Sequence, residues 1–207
     1  NFSYIDNALE AKKVLVSEMG GTLLTIAKDV KLQVEFNPAR VKGYRLVGYE
    51  NRLLNDEDFN DDKKDAGEMG AGHTVTALYE IALTGSDGKL IDPLRYGNRP
   101  ASSPEAPDGE LAFLKLRYKL PDSDTSRLIT EPVRRDQIIG ELDRTSDNYR
   151  FAAAVAGFGQ ILRGGEYTGD FDLNAVLSLA GGARGEDAYG YKMDTKHDQF
   201  MGFSGIA

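Results

Sequence analysis

The period of the apolar residues changes once along this 207-residue chain, and that change limits the fold more than any other feature. Apolar and polar residues alternate over residues 30–36 and again over residues 110–120, as in strands with one buried face. From Ser146 onward the apolar residues instead recur at the spacing of amphipathic helices. Strands grouped ahead of helices indicate an α+β protein rather than an alternating α/β protein.

The strand-forming part runs from residue 22 to residue 133. Proline has no amide hydrogen for a ladder, so Pro38 closes the first strand and Pro132 indicates that the last strand lies at a sheet edge. Residues 92–109 hold four of the seven prolines, which predicts a long connection or a partner-binding loop. The predicted strands are residues 30–36, 41–50, 73–83, 110–120 and 127–133.

Helices are predicted at both ends of the chain. Asp6 or Asn7 can cap an N-terminal helix that stops at Gly20-Gly21. Thr145 or Ser146 can cap a second helix, whose apolar stripe is predicted to be Phe151, Val155, Phe158 and Leu162. Asp172 can cap a third helix, ending near Gly181-Gly182. We therefore expect an antiparallel β-sandwich with an N-terminal helix and a C-terminal helical layer.

Charge and composition exclude several functions. The formal net charge is −8, and residues 56–68 alone carry seven acids against two lysines. This balance argues against nucleic-acid binding, which depends on lysine and arginine contacts to phosphates. The chain has no cysteine, which excludes disulfides, thiolate catalysis and cysteine-ligated zinc. No apolar run approaches the roughly 20 residues that a membrane-spanning helix needs.

The acidic loop at residues 56–68 is the candidate metal site. Its acidic and amide residues alternate like the first ligands of an EF-hand calcium loop. The pattern then fails, because Asp61 stands where the loop needs glycine and Gly67 where it needs a bidentate glutamate. A solvated loop with local turns is the alternative interpretation, and no metal site is assigned firmly. The weak candidate ligands are Asp56, Asp58, Asn60 and Asp62.

No catalytic residues are predicted. The run Gly70-Ala71-Gly72 leads into a predicted strand, whereas a phosphate-binding loop opens a helix, so a tight turn or bulge is expected. His73 is one of two histidines, and the chain has no Gly-x-Ser-x-Gly nucleophile elbow. A hydrolase that uses His73 with nearby acids is therefore the weakest of the functions considered, and we expect that the protein is not an enzyme.

Several stretches resemble one bacterial family, the extracytoplasmic proteins with a von Willebrand factor type A domain, in the region that follows that domain. The resemblance covers nearly the whole chain, although the tail from Tyr191 departs from the continuing helix expected there. It implies a location in the bacterial cell envelope or periplasm. The stretches that carry it are residues 4–16 (YIDNALEAKKVLV), 20–31 (GGTLLTIAKDVK), 34–38 (VEFNP), 44–52 (YRLVGYENR), 70–80 (GAGHTVTALYE) and 146–156 (SDNYRFAAAVA).

The resemblance also implies a division of the chain. Residues 1–21 would be the last strand and helix of the A domain, residues 22–133 a β-sandwich domain, and residues 134–207 a C-terminal helical region. The Asp-x-Ser-x-Ser motif that binds Mg²⁺ in A domains has no match here, so that magnesium site is not expected in this chain.

The predicted function is a non-enzymatic scaffold or interaction region that accompanies an A domain in a cell-envelope protein, for protein–protein binding or adhesion support. Its expected partners are another protein and the rest of the A domain in the same chain. Neither nucleic acid nor a membrane segment is expected, and no cofactor is predicted. The alternative is a calcium-dependent binding module that uses the acidic loop.

Overall fold

The computed structural model describes residues 5, 8–12, 15–16, 24–48, 54–86, 109–165 and 167–186. Among them, strands precede the two longer helices. The strands are β1 (Thr25–Phe36), β2 (Val41–Val47), β3 (Gly67–Gly70), β4 (Leu78–Leu83), β5 (Glu110–Lys119) and β6 (Ser126–Arg134). The helices are α1 (Ala8–Lys12), α2 (Asp147–Leu162) and α3 (Leu173–Gly182).

Four strands form one sheet in the order β3-β1-β5-β6, and every neighbouring pair in it is antiparallel. Strands β2 and β4 form a second sheet of two strands. The predicted mixed fold, with antiparallel sheets ahead of the C-terminal helices, is confirmed. The sandwich packing of the sheets stays a prediction, as does the N-terminal helix beyond the short α1.

The chain divides into two compact units. The first contains the four-stranded sheet and runs to Gln137. The second begins at Ile138, contains α2 and α3, and also includes residues 45–48 and 76–80. Strands β2 and β4 therefore each contribute residues to both units.

A bulge in β1 sets which side chains share a face of the four-stranded sheet. Asp29 adopts a left-handed conformation, with φ 52°, and the register of β1 shifts around it. As a result Lys28 lies opposite Lys119 and Lys31 lies opposite Arg117, although three positions separate the lysines on β1 and only two separate their partners on β5. Residues directly opposite each other point to the same side, so all four cationic side chains lie on one face.

We call this side of the sheet the basic face, formed by Lys28, Lys31, Lys115, Arg117 and Lys119. The other side is the apolar face, formed by Leu32, Val34, Phe36, Ala112, Leu114, Leu116, Ile129 and Val133.

In the middle of β1 the burial of neighbouring side chains is the reverse of what the alternation predicts. Lys31 is only 3% exposed, whereas its neighbour Leu32 is 45% exposed. Lys119 is likewise buried, at 8%. The expectation that the apolar side of this strand faces the core is wrong at this position, because the acidic loop lies across the basic face and covers the lysines.

The second unit has a small core between α2 and α3. Ala154 and Val176 are fully buried, and Phe158, Ile161 and Phe171 pack against them. The predicted stripe was partly wrong, since Val155 is 44% and Leu162 56% exposed. The buried stripe includes Ala154, whose small side chain lets Val176 pack against α2.

The predicted caps of the two C-terminal helices are confirmed. Ser146 Oγ accepts a hydrogen bond from the amide of Tyr149 at 3.2 Å, and Asp172 Oδ1 accepts one from Ala175 at 2.8 Å. Gly164, with φ 108°, follows the end of α2 and takes the left-handed conformation common after helices.

Three predictions fall outside the described residues: the rest of the N-terminal helix, most of the proline-rich connection, and the tail from Tyr191. Within the described part of the chain, no helix is both long enough and apolar enough to span a membrane.

Candidate functional site

The acidic loop is held against the basic face of the sheet by its own backbone. A 3-10 turn at Asp56–Phe59 directs the Phe59 ring inward, where it is 4% exposed. The loop carbonyls of this region point toward the sheet, and two buried lysines donate to them. The loop is therefore a fixed cover over the basic face.

Lys31 and Lys119 each satisfy more than one acceptor. Lys31 Nζ donates to the carbonyl oxygens of Asp58, at 3.0 Å, and Asp61, at 2.5 Å. Lys119 Nζ donates to the carbonyl of Asp62 at 2.6 Å. Burying an ammonium group is unfavourable unless it is paired and hydrogen-bonded, and the loop carbonyls provide those bonds.

Asp29 connects the bulge of β1 to both the sheet and the loop. Its Oδ2 lies 2.8 Å from Lys119 Nζ, and its Oδ1 accepts a hydrogen bond from the amide of Ala66 at 3.3 Å. The hydrogen bond from Lys119 is the main reason that the pKa of Asp29 is lowered. The same bond raises the pKa of Lys119, so each group favours the charged form of the other.

Arg117 completes the cover by binding loop side chains. Its Nη2 donates to Asn60 Oδ1 at 3.1 Å, its Nη1 lies 3.8 Å from Asp62 Oδ1, and its guanidinium lies 5.6 Å from the centre of the Phe59 ring. A hydrogen bond with the Ser126 side chain is the largest cause of the lowered pKa of Asp62, and the charge of Arg117 contributes to it.

The candidate calcium ligands are placed in different directions. The Asp58 carboxylate lies 3.0 Å from Asn55 Nδ2 and 3.4 Å from Lys64 Nζ. Asn60 and Asp62 instead turn toward the guanidinium of Arg117. Of Asp56 only the backbone is described.

The carbonyl oxygens of Asp58, Asp61 and Asp62 in this loop already accept hydrogen bonds from lysine. Across the described ranges, no three acidic or histidine side chains come together as a metal site. The proposal that these residues bind calcium stays a prediction.

The glycines after the acidic loop form the predicted tight turn. Gly72 has φ 77°, and the amide of His73 donates to the carbonyl of Gly70 at 3.2 Å. The strand expected to begin at His73 begins only at Leu78, and residues 73–77 belong to no strand. His73 is exposed.

A cleft lies among the described residues of each unit. In the second unit a cleft of about 470 Å³ is lined by small and apolar side chains, with Arg163 donating to the carbonyl of Gly48 at 3.0 Å. In the first unit a cleft of about 270 Å³ lies between Arg40, Leu111 and Arg135. Neither described lining pairs a nucleophile with a base.

The sequence analysis identified the acidic loop but missed the cations that hold it. Lys115, Arg117 and Lys119 recur at alternate positions of β5 and so share one face. A row of cations on one face of a central strand indicates that an anionic segment lies across it, and this pattern was available in the sequence.

Comparison with known proteins gives a family and a relative. The family model described as "Uncharacterized protein YfbK, C-terminal" matches residues 21–197. Uncharacterized protein YfbK of Escherichia coli (strain K12) is 45% identical over 196 residues, which are 94% of this chain and 33% of the relative. The chain thus spans about a third of the length of that curated relative. No solved structure matches it.

Proposed function

The chain belongs to the YfbK C-terminal family, and from this premise we propose that it is a non-enzymatic interaction region of a bacterial cell-envelope protein. In this proposal it supports a von Willebrand A domain of the same parent chain and binds it through the apolar face of the four-stranded sheet. One observation carries the proposal: aliphatic residues of this face, such as Leu32 and Ile129, are exposed, while the acidic loop covers Lys31 and Lys119 of the basic face.

Exposure along the apolar face is high for residues of this type. Leu32 is 45%, Ile129 51% and Val133 41% exposed. Val34, Leu114 and Leu116 between them are only half-buried. Contiguous apolar surface of this kind is typical of sites that bind another protein surface.

The position of this face also favours a protein partner over a small ligand. It spans three neighbouring strands, and the residues opposite one another across β1, β5 and β6 are mostly aliphatic. A broad, mainly aliphatic face, with the charged residues Arg127 and Glu131 only on its edge strand β6, suits a packed protein interface, whereas ligand pockets are concave.

The partner that we propose is the A domain of the parent. About two thirds of the E. coli relative lies outside the matched region, which leaves ample chain for such a domain. A partner within the same chain is present at a high effective concentration, so an apolar face of moderate size is enough to hold it.

The test measures binding between this chain and a separately produced A domain of the same parent by calorimetry. Leu32→Gln changes the apolar face, and the matched control Leu128→Gln changes a residue of similar exposure, 50% against 45%, on the opposite face. We expect Leu32→Gln to weaken binding about tenfold, the effect of roughly 1.4 kcal/mol, and the control to leave it unchanged. Equal binding by both variants, or no binding by the chain without substitutions, would contradict the proposal.

A further inference from the structure

Strand β6 forms the outer edge of the four-stranded sheet. It pairs with β5 on one side, and no strand of the described residues pairs with its other side. Both faces of β6 are open in its middle, where Leu128 is 50% and Ile129 51% exposed. A long edge strand with exposed side chains is a template for pairing with another strand.

The hydrogen bonds at the end of β6 show which backbone groups point outward. The amide of Arg135 donates to the carbonyl of Gly109 at 2.9 Å, on the β5 side. The amide of Arg134 donates instead to its own chain's Gln137 Oε1 at 2.7 Å. Backbone groups alternate in direction along an antiparallel strand, and the register along β6 is continuous up to Val133.

The outward groups are therefore those of the even-numbered residues, which include Leu128 and Thr130. Pro132 agrees with this assignment, because a proline on that side removes no hydrogen bond to β5. The amide of Arg134 is closed by Gln137, so the middle of the strand offers the free pairing positions.

We propose that β6 pairs with β6 of a second copy of this chain, antiparallel, with the twofold axis at Ile129. In that register the outward backbone groups of Leu128 face those of Thr130 in the other copy, which is the arrangement that forms ladder hydrogen bonds. Arg127 then lies opposite Glu131 of the other copy, twice in the dimer. The charge pattern of the strand is thus complementary to itself.

Neighbouring registers lose this match. Moving the axis to Thr130 places Glu131 opposite Ile129 and Arg127 opposite Val133, which removes both charge pairs. Moving it in the other direction, to Leu128, places Arg127 opposite Ile129 and Glu131 opposite Thr125. Cross-strand pairs of opposite charge stabilise an antiparallel ladder by a few tenths of a kcal/mol to about 1 kcal/mol each, so the axis at Ile129 is favoured.

Pairing at this edge would join the apolar faces of two copies. Ile129 lies opposite Leu116 on the apolar face, and its counterpart in the second copy would lie beside it across the axis. The dimer goes beyond the proposed function, since it uses the sheet edge and needs no A domain.

The experiment is a charge-swap series on the 207-residue chain, with the association state measured by sedimentation equilibrium. Arg127→Glu and Glu131→Arg each place like charges opposite one another in the dimer. We expect the unchanged chain to dimerise and each single variant to dimerise at least tenfold more weakly. The double variant Arg127→Glu/Glu131→Arg restores opposite charges and is expected to dimerise as tightly as the unchanged chain.

A mixture of the two single variants gives the sharpest result. Because one carries only acids and the other only arginines at these two positions, the mixture is expected to form a heterodimer that neither variant forms alone. Thr130→Pro removes an outward amide without removing a bond to β5, so it is expected to abolish pairing while circular dichroism shows an intact fold.

The proposal would be overturned if the unchanged chain stayed monomeric up to about 1 mM, a concentration at which an association free energy of only about 4 kcal/mol would be detected. Single variants that dimerise as tightly as the unchanged chain would also overturn it. If Thr130→Pro fails to fold, the charge-swap series still decides the question.

Discussion

A glycine in α2 allows a sharp test of the packing in the second unit. Gly157 faces the ring of Phe171, and a Cβ atom at this position would collide with ring carbons Cε1 and Cδ1. Gly159, two residues along the same helix, would place its Cβ where no atom lies within 4 Å. Gly157→Ala and Gly159→Ala therefore form a matched pair that differs only in the space available.

The expected sizes follow from two opposing effects. Replacing glycine by alanine within a helix stabilises it by up to about 1 kcal/mol, because the unfolded chain loses freedom. At Gly157 the new methyl group also forces Phe171 away from the α2–α3 core, and overpacking of this kind costs about 1–3 kcal/mol. We therefore expect Gly159→Ala to be neutral or stabilising, and Gly157→Ala to be less stable than it by about 1–3 kcal/mol.

Thermal unfolding followed by circular dichroism at 222 nm measures this difference, since α2 and α3 dominate the helical signal. For a chain of this size, 1 kcal/mol corresponds to roughly 2–4 °C, so the two variants should differ by roughly 2–12 °C. Equal melting temperatures, or a higher one for Gly157→Ala, would show that Phe171 does not pack against this glycine and would refute the description of the core.

Three further predictions concern the acidic loop. Lys31→Met leaves two loop carbonyls without their donor, so we expect the amides of residues 56–62 to exchange hydrogen about 10–100-fold faster, for a loss of roughly 1.4–2.8 kcal/mol. The control Lys115→Met should leave their exchange unchanged, and equal exchange in both variants would contradict the role of Lys31 in holding the loop. Because the pKa of Asp29 is lowered, its stabilising effect is complete above the ordinary pKa of 3.8 and is lost as the pH falls through the pKa of the folded state. The free energy of unfolding, measured with urea, should therefore decline in acid, and the decline should be smaller in Asp29→Asn; an identical decline in both proteins would refute this. Since lysines already bind the loop carbonyls, we expect about 1 mM calcium to produce no heat of binding and no change in the melting temperature. A measurable heat of binding together with a raised melting temperature would support the alternative calcium-binding function.

Features that depend on neighbouring residues were predictable from the sequence. The caps at Ser146 and Asp172 follow from side chains that bond amides three residues later. The positions of β5 and β6 follow from alternation and from the turn after residue 120, and Pro132 correctly indicated that β6 lies at an edge.

Features that depend on distant parts of the chain were not predictable. Strand β3 has only four residues, two of them glycine, and it exists because it pairs with β1 across the bulge at Asp29. The burial of Lys31 likewise depends on carbonyls of a loop about 30 residues later. The acidic loop was recognised as the notable segment, but its partners on the sheet lie beyond the range of local patterns.

The bulge at Asp29 lets β1 carry one additional residue without changing which face its lysines share. Lys28 and Lys31 share a face although one additional residue lies between the positions that oppose Lys119 and Arg117. Deleting Asp29 would place the two lysines two positions apart, which is the spacing at which residues of a regular strand share a face. Family members shorter by one residue here would therefore still present these lysines to the acidic loop, but without the Asp29 carboxylate that contacts Lys119 and the amide of Ala66.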